Sequence, residues 1–591
     1  MTAIVKGGSF VIETVDWQSM ATPEDFTEEQ TMVADLTAQF IEGEVVPRDG
    51  ELEKQDYKLT ASLIRKAGEL GLLGVDVPER YGGLGLDKVS STLISEKLAK
   101  GSSFALSVGA HVGIGTLPIV FFGTPAQKAA YLPQLADGTR IAAYCLTEPS
   151  SGSDALGAKT TATLSADKTA YILNGTKQFI TNAGFADLFI VYAKIDGQQF
   201  SAFIVERTME GVSIGPEEKK MGIKGSSTCP LILDQVRVPV ENLLGEPGRG
   251  HIIAFNILNI GRFKLAAGCV GAAKEALALS AAYANVRTQF GKPIASFPLI
   301  GEKLAEMNIA TYVLESMVYR TAGLVDTILR DIDSDSDQSG VLSAKGIAEY
   351  ALECSINKVF GTEALDFVAD EGVQIHGGYG FIQEYKIERI YRDSRINRIF
   401  EGTNEINRLL IPGTLLKKAL KGELPLMEHA GAVQQKMMEP TERDESESPF
   451  AEENRLIDTA KQIFLLIGGQ AVQTYGLELE EQQEVLSRLA DMMIGIYGME
   501  SALRRAQKIA ARSGEAQAEL AGLMASAHVY ETFASIEQAA KQAVAAMASG
   551  DLLALQLSVL RKWTRHTPPD TIQLKRRIAE KVIAAERYVV N

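Results

Sequence analysis

Cysteine is scarce in this chain. The four copies, Cys145, Cys229, Cys269 and Cys354, stand far apart with no C-x-x-C pair, which fits reduced thiols in a cytosolic setting and argues against a clustered metal site. Histidine is little richer, with six residues and no H-E-x-x-H, so no metal is expected. Long apolar runs are missing too: none of 18 residues suggests a bilayer span, and no N-terminal apolar core resembles a signal peptide. The reading is a soluble, cytoplasmic protein. Positive charge is in deficit, 59 Lys and Arg against 75 Asp and Glu, and a net charge of −16 argues against broad nucleic-acid binding. One local exception is the tail, where Arg561, Lys562, Arg565, Lys575, Arg576, Arg577, Lys581 and Arg587 outnumber the acids; this end is either a solvated helix face or a peripheral contact with anionic lipid. The nucleotide signatures are also lacking. Every Gly-x-Gly (Gly83/Gly85, Gly113/Gly115, Gly248/Gly250, Gly378/Gly380) is without a glycine three residues on, and G-x-x-x-x-G-K-[ST] does not occur.

What is present is ordered in blocks. The length of 591 residues allows about four domains. Residues 1–24 read as a loosely structured lead-in. A helical domain follows over 25–140, where Leu63, Ala67, Leu70 and Leu73 recur at helical spacing and Tyr81-Gly82-Gly83-Leu84-Gly85 breaks the pattern. Over 141–245 the texture becomes β: Leu188 to Ile195 and Phe200 to Arg207 flank Asp196-Gly197, Ala170 to Leu173 and Gln178 to Thr181 flank Asn174-Gly175, and Leu231 to Val238 ends at Pro239. Two hairpins in a small antiparallel domain are predicted. Helical periodicity resumes over 246–425. Residues 426–452, with Glu439-Pro440-Thr441-Glu442-Arg443-Asp444-Glu445-Ser446, read as a polar linker, and 453–591 as a further helical block. The fold class is mostly α with a small antiparallel β domain.

Five segments could carry chemistry. Tyr144 to Asp154 is dense in hydroxyls and turn residues, able to present N–H groups to a ring or phosphate or to be an ordinary turn. Phe179-Ile180-Thr181 sets an aromatic and a hydroxyl on one strand face. Arg287-Thr288-Gln289-Phe290-Gly291-Lys292 is a basic turn suited to a pyrophosphate or to a helix end. Gln374 to Gly380 is a second glycine-rich turn. In Arg398-Ile399-Phe400-Glu401-Gly402-Thr403-Asn404-Glu405, one carboxylate follows two bulky apolar residues and precedes a glycine, and Thr403 or Asn404 caps the next helix, Glu405 to about Leu420. Apolar surroundings would raise the Glu401 pKa toward the range of a general base; pairing with Arg389, Arg392, Arg395 or Arg398 is the plainer alternative.

In this order the five segments resemble the acyl-CoA dehydrogenase family over about residues 27–420, and the block at 453–591 is similar to the extension of its very-long-chain members. The resemblance implies an α-β-α flavoenzyme that binds FAD. Tyr144, Leu146, Thr147, Gly152 and Ser153 would line the flavin and its ribityl chain; Phe179, Ile180 and Thr181 would pack on its ring; Thr403 and Asn404 would meet the pyrophosphate. Arg287, Phe290, Gln374, Gly377 and Gly378 would reach the FAD of a neighbouring subunit, so a homodimer is implied. Glu401 matches the catalytic base, taking an α-proton made acidic by hydrogen bonds to the thioester carbonyl, one of them from its own N–H. Arg262, Asn259, Ser153, Phe400 and Gly402 would lie along the acyl-CoA. Gly261 stands where some branched- and long-chain members place their glutamate, leaving Glu401 as the base. Two residues depart from the family pattern: Phe179 replaces a usual tryptophan, and Pro298 a glutamine that contacts adenine. The implied activity is α,β-dehydrogenation of long- or very-long-chain acyl-CoA in β-oxidation, with electrons passed to electron-transferring flavoprotein. An acyl-CoA oxidase and a scaffold with vestigial activity are the alternatives.

Overall fold

The computed structural model describes residues 4–436 and 450–591. The N-terminal helices begin where the sequence supplies caps. Thr27 accepts from the Gln30 N–H, and the Gln30 side chain returns a bond to the Thr27 N–H, opening helix Glu28–Phe40. Asp56 and Asp87 cap Tyr57–Glu69 and Lys88–Leu98 one way, their side chains accepting from the Leu59 and Ser90 N–H groups. Leu63, Ala67 and Leu73 are buried, whereas Leu70 sits just past the end of its helix and is exposed.

The β domain is one eight-stranded sheet. Leu188–Ile195 and Gln199–Glu206 form the expected hairpin, with Asp196 and Gly197 both left-handed (φ 50° and 74°). The second expected hairpin does not exist. Asn174-Gly175 lies inside a continuous strand, Ala170–Thr181, as an irregularity in its pairing with Thr228–Pro239. The dipeptide bulges rather than turns because Gly175 packs against Thr160, whose Oγ1 would lie 2.4 Å from a Cβ there, while the Asn174 side chain accepts from the Gln235 N–H. Nor is the sheet wholly antiparallel: Ala142–Cys145 and Thr161–Leu164 both run parallel to Leu188–Ile195.

Helices Gly250–Val286, Pro298–Leu329 and Ala351–His376 pack against one another. By length and composition, Ser103–Phe122 and Gly250–Val286 could each cross a membrane, against the sequence expectation of none; here both pack against protein. The C-terminal helices Ala451–Tyr475, Gln483–Ser513, Glu515–Met547, Gly550–Trp563 and Thr571–Ala585 share one apolar core with the central ones, joining Leu277, Met317 and Val359 to Ile463, Met493 and Phe533. The presumed linker starts as a helix, Leu426–Lys436; the stretch from Glu439 to Ser446 lies outside the described residues.

Residues 4–26 correct the reading of a loose lead-in. They run as a strap between the central helices and the C-terminal block. The Gly8 N–H donates to Glu353 Oε1 (2.6 Å), Lys461 Nζ to the Glu13 carbonyl (2.7 Å), Lys508 Nζ to the Met20 carbonyl (2.6 Å), and Arg505 pairs with Glu24 (2.7 Å). The sequence offered no sign of this, because every partner lies hundreds of residues away. Deleting residues 1–26 is expected to expose Glu353, Glu500 and Arg505 and to lower the thermal unfolding temperature of the C-terminal block, read by calorimetry.

Candidate active site

Glu401 and Gly402 are consecutive left-handed residues, φ 57° and 79°. A non-glycine residue in that region costs about 1–3 kcal/mol and persists only where its surroundings over-determine it. They do so through three side chains. Arg262 Nε donates to the Glu401 carbonyl (3.0 Å), Asn407 Nδ2 to the Gly402 carbonyl (2.8 Å), and buried Lys358 Nζ to the same carbonyl (2.8 Å) and to Asn404 Oδ1 (2.7 Å). Thr403 is the helix cap: its Oγ1 accepts from the Ile406 N–H at 3.2 Å.

The clamp leaves the carboxyl itself free. Glu401 Oε2 is buried without a hydrogen-bond partner, and the Glu401 N–H has no acceptor among the described residues. Burial pushes the Glu401 pKa up to about 7, against the opposing pull of Arg262 and Lys358. The upstream arginines face other carboxylates: Arg389 pairs with Asp49, Arg392 with Glu388 (2.7 Å) and Arg398 with Asp366 (3.0 Å), and Arg395 also lies beside Asp366. The plainer alternative for Glu401 is thereby removed. A Cβ at position 261 would lie 2.6 Å from Glu401 Oε2, so Gly261 makes room for the base. Gly261→Ala should displace the carboxylate and slow catalysis by about a hundredfold with little change in unfolding temperature, checked by single-turnover kinetics and calorimetry.

Glu401 and Phe400 open on a cavity of about 250 Å3 that also meets Thr181, Gly261, Lys264 and Cys269. Small residues, among them Ala99, Ala105, Gly109, Gly113 and Gly268, line its course toward Leu72 and Ile94. A Cβ at Gly109 or Gly268 would meet nothing within 4 Å. Arg262 and Asn259 are both buried, and Asn259 Oδ1 accepts from Arg262 Nη1 (3.2 Å). The Asn259 amide therefore orients the arginine.

The loop from Tyr144 to Ser153 is pinned by a pair that sequence reading passed over. Buried Glu148 bonds Lys177 Nζ (2.6 Å) and the Lys159 and Thr160 N–H groups, and the Thr147 carbonyl accepts from the Gln178 N–H (2.9 Å). Tyr144 and Leu146 are buried beneath it; Gly152 and Ser153 are exposed. A bulge between Lys177 and Ile180 puts Phe179 at φ 59° and leaves that residue 60% exposed, while Ile180 is buried in the core. An exposed aromatic beside a hydroxyl, Thr181, that reaches the Glu401 cavity suits a flat ring such as a flavin.

A second pocket, about 500 Å3, lies apart and is lined by Arg287, Gly377 and Gly378, with Arg287 over the Tyr379 ring (5.5 Å). Gly377 and Gly378 would allow close approach, since a Cβ on either would touch nothing. Phe290 projects nearby, 93% exposed, and Gln374 is exposed outside the pocket lining. Asn404 departs from expectation. Its amide faces inward to Lys358, Thr362 and Glu363, which leaves only its backbone N–H for a phosphate. Pro298 starts helix Pro298–Leu329, where the missing N–H costs nothing.

Lys358 was the functional residue most plainly missed. A signal existed, since Cys354, Lys358 and Leu365 share one helical stripe, and a lysine on a buried stripe calls for partners.

Known proteins resemble this chain along most of its length. The sequence matches the acyl-CoA dehydrogenase family in its N-terminal domain (residues 27–139), its middle domain (143–236) and its C-terminal domain (248–416), and a further acyl-CoA dehydrogenase C-terminal domain matches residues 459–562. The chain is 56% identical over 587 residues to a probable acyl-CoA dehydrogenase of Bacillus subtilis, covering 99% of each. It is 41% identical over 419 residues to the mitochondrial very long-chain specific acyl-CoA dehydrogenase of Bos taurus, covering 68% of this chain and 61% of that one. The crystal structure of an acyl-CoA dehydrogenase complexed with FAD from Bacillus anthracis superposes with a TM-score of 0.98 at 56% identity, covering 99% of this chain and 100% of that one.

Proposed function

The chain belongs to the acyl-CoA dehydrogenase family of FAD-dependent oxidoreductases, and from that premise we propose that it dehydrogenates long-chain acyl-CoA thioesters between C2 and C3, with Glu401 as base. The observation that carries this is the buried, unpartnered Glu401 carboxyl, with a pKa of about 7, at an apolar cavity. In water a carboxylate is too weak a base for a thioester C2 proton. Here the free Glu401 N–H can donate to the thioester carbonyl and stabilise the developing enolate beside the carboxylate that removes the proton. An acyl chain filling the cavity excludes water and raises the base further. Arg262 and Lys358 keep the carboxylate ionised enough to act near neutrality. Bound FAD supplies the acceptor for the C3 hydride.

The Phe179–Thr181 segment and the Tyr144–Ser153 loop are the residues that would hold the flavin ring. The Arg287–Gly378 pocket and exposed Phe290 face outward from this chain, which favours a homodimer in which each copy completes the other's FAD site.

The glycine- and alanine-lined cavity supports a long chain. Gly268→Leu should cut turnover of long acyl-CoA while sparing short ones, by about fourfold for each methylene excluded at ~0.8 kcal/mol. A turnover series over straight chain lengths with a ferrocenium-type acceptor tests it; an unchanged profile in the variant contradicts it. By resemblance, the electrons would pass to electron-transferring flavoprotein within fatty-acid β-oxidation in the cytoplasm. Substrate-reduced enzyme should stay reduced in air, and rapid reoxidation without an acceptor would instead identify an oxidase.

A further inference from the structure

The C-terminal block reaches the catalytic turn through an unbroken line of charged and amide groups. Asp491, on helix Gln483–Ser513, accepts from Arg408 Nε at 2.7 Å. The same guanidinium grips Glu363 with both remaining nitrogens, Nη1 to Oε1 at 2.7 Å and Nη2 to Oε2 at 2.9 Å. Glu363 Oε1 accepts from Asn404 Nδ2 (3.0 Å), and Asn404 Oδ1 accepts from Lys358 Nζ (2.7 Å), which donates onward to the Gly402 carbonyl (2.8 Å). The last acceptor lies one residue from Glu401.

We propose that the C-terminal block acts on catalysis through Asp491, a positioning residue that fixes Arg408 and, through Glu363, Asn404 and Lys358, the left-handed turn carrying Glu401. This rests on the reading of Glu401 as the base. All three donors that hold the turn belong to the dehydrogenase portion, and Lys358 is the one that this hydrogen-bonded line ties to the appended block. Planar Arg408 spans two carboxylates only while both are in place, because its three bonding nitrogens are fixed relative to one another. Without Asp491 the guanidinium keeps only its fork on Glu363 and can tilt with that side chain, so Asn404 and Lys358 lose one of the two references that fix them, Thr362 being the other. The charged and titratable groups facing Glu401 are Arg262, Lys358 and Tyr144; those facing Lys358 are Glu401, Cys269, Arg262 and Glu405. A loosened Lys358 favours the Glu401 carboxylate less, so the base titrates at higher pH.

The test is anaerobic flavin reduction by palmitoyl-CoA in the FAD-loaded full chain, followed across pH by stopped flow. Asp491 is partly exposed, with its side chain at 31%, so Asp491→Ala and the isosteric Asp491→Asn are expected to fold. Both should slow reduction about three- to thirtyfold, the size of couplings carried by contiguous networks, and move the acid limb to higher pH. Asp491→Glu should restore rate and limb. Lys575→Met removes another anchor of the same block, to Glu306 and Glu531, and should lower the unfolding temperature while leaving rate and limb unchanged. A wild-type rate in both Asp491 variants, or a slower rate with an unmoved limb, overturns the proposal. Glu401→Gln in the same series separates the two readings: if it reduces flavin normally, the assignment of the base has failed, whatever Asp491 does.

Discussion

Glu401→Gln should slow acyl-CoA-dependent flavin reduction by about a hundred- to ten-thousandfold, the usual contribution of a positioned general base. The substitution keeps the shape and the buried environment, so FAD content and unfolding temperature should change little. The amide cannot take a proton at any accessible pH, and the loss should therefore persist across the range. In the wild type the sign is set by the raised pKa: the base acts when ionised, so the rate should climb with pH and then level off, with its midpoint at or above the ligand-free value of about 7 because bound substrate raises the base further. A stopped-flow pH profile on wild type and variant reads both expectations. An acid limb near the ordinary glutamate value would mean that burial is not what tunes this group.

The second large effect falls on stability. Glu500 is fully buried between Arg320 Nη2 (2.8 Å) and Lys461 Nζ (2.7 Å). Burial opposes its ionisation, but Arg320 and Lys461 outweigh that and hold its pKa below the ordinary value. The Val15 N–H points at the same carboxylate (3.4 Å), so one residue joins the strap, helix Pro298–Leu329, helix Ala451–Tyr475 and its own helix, Gln483–Ser513. Glu500→Ala would leave two buried cations without their partner, a change that typically costs about 3–5 kcal/mol. Calorimetry should show the C-terminal block unfolding at markedly lower temperature, and joint replacement of all three charges by apolar residues of similar volume should restore it. Unchanged unfolding in Glu500→Ala would mean that water reaches the triad.

Much of this was legible in the sequence where the signal was local. The Thr403 cap, the Asp196-Gly197 hairpin and the order of blocks each follow from a few neighbouring residues. Glu401 in an apolar setting was visible too, but its rival reading fell only when Arg398 was found on Asp366 and the facing cations proved to be Arg262 and Lys358. Asn174-Gly175 misled because the same dipeptide serves a turn or a bulge, and Thr160, a neighbour across the sheet, decides which. The strap, the Glu148–Lys177 pair and the line from Asp491 to Gly402 were illegible for a common reason: each is made by polar groups from distant segments, and spacing along the chain carries no trace of them.

The central claim is that Glu401 removes the C2 proton. An acyl-CoA with sulfur in place of C3 carbon cannot release a hydride, so proton removal at C2 is isolated from flavin reduction. In deuterated water, FAD-loaded wild type should exchange the C2 hydrogens of that compound, read by mass spectrometry, and Glu401→Gln should leave them in place. Equal exchange by the two proteins would contradict the account.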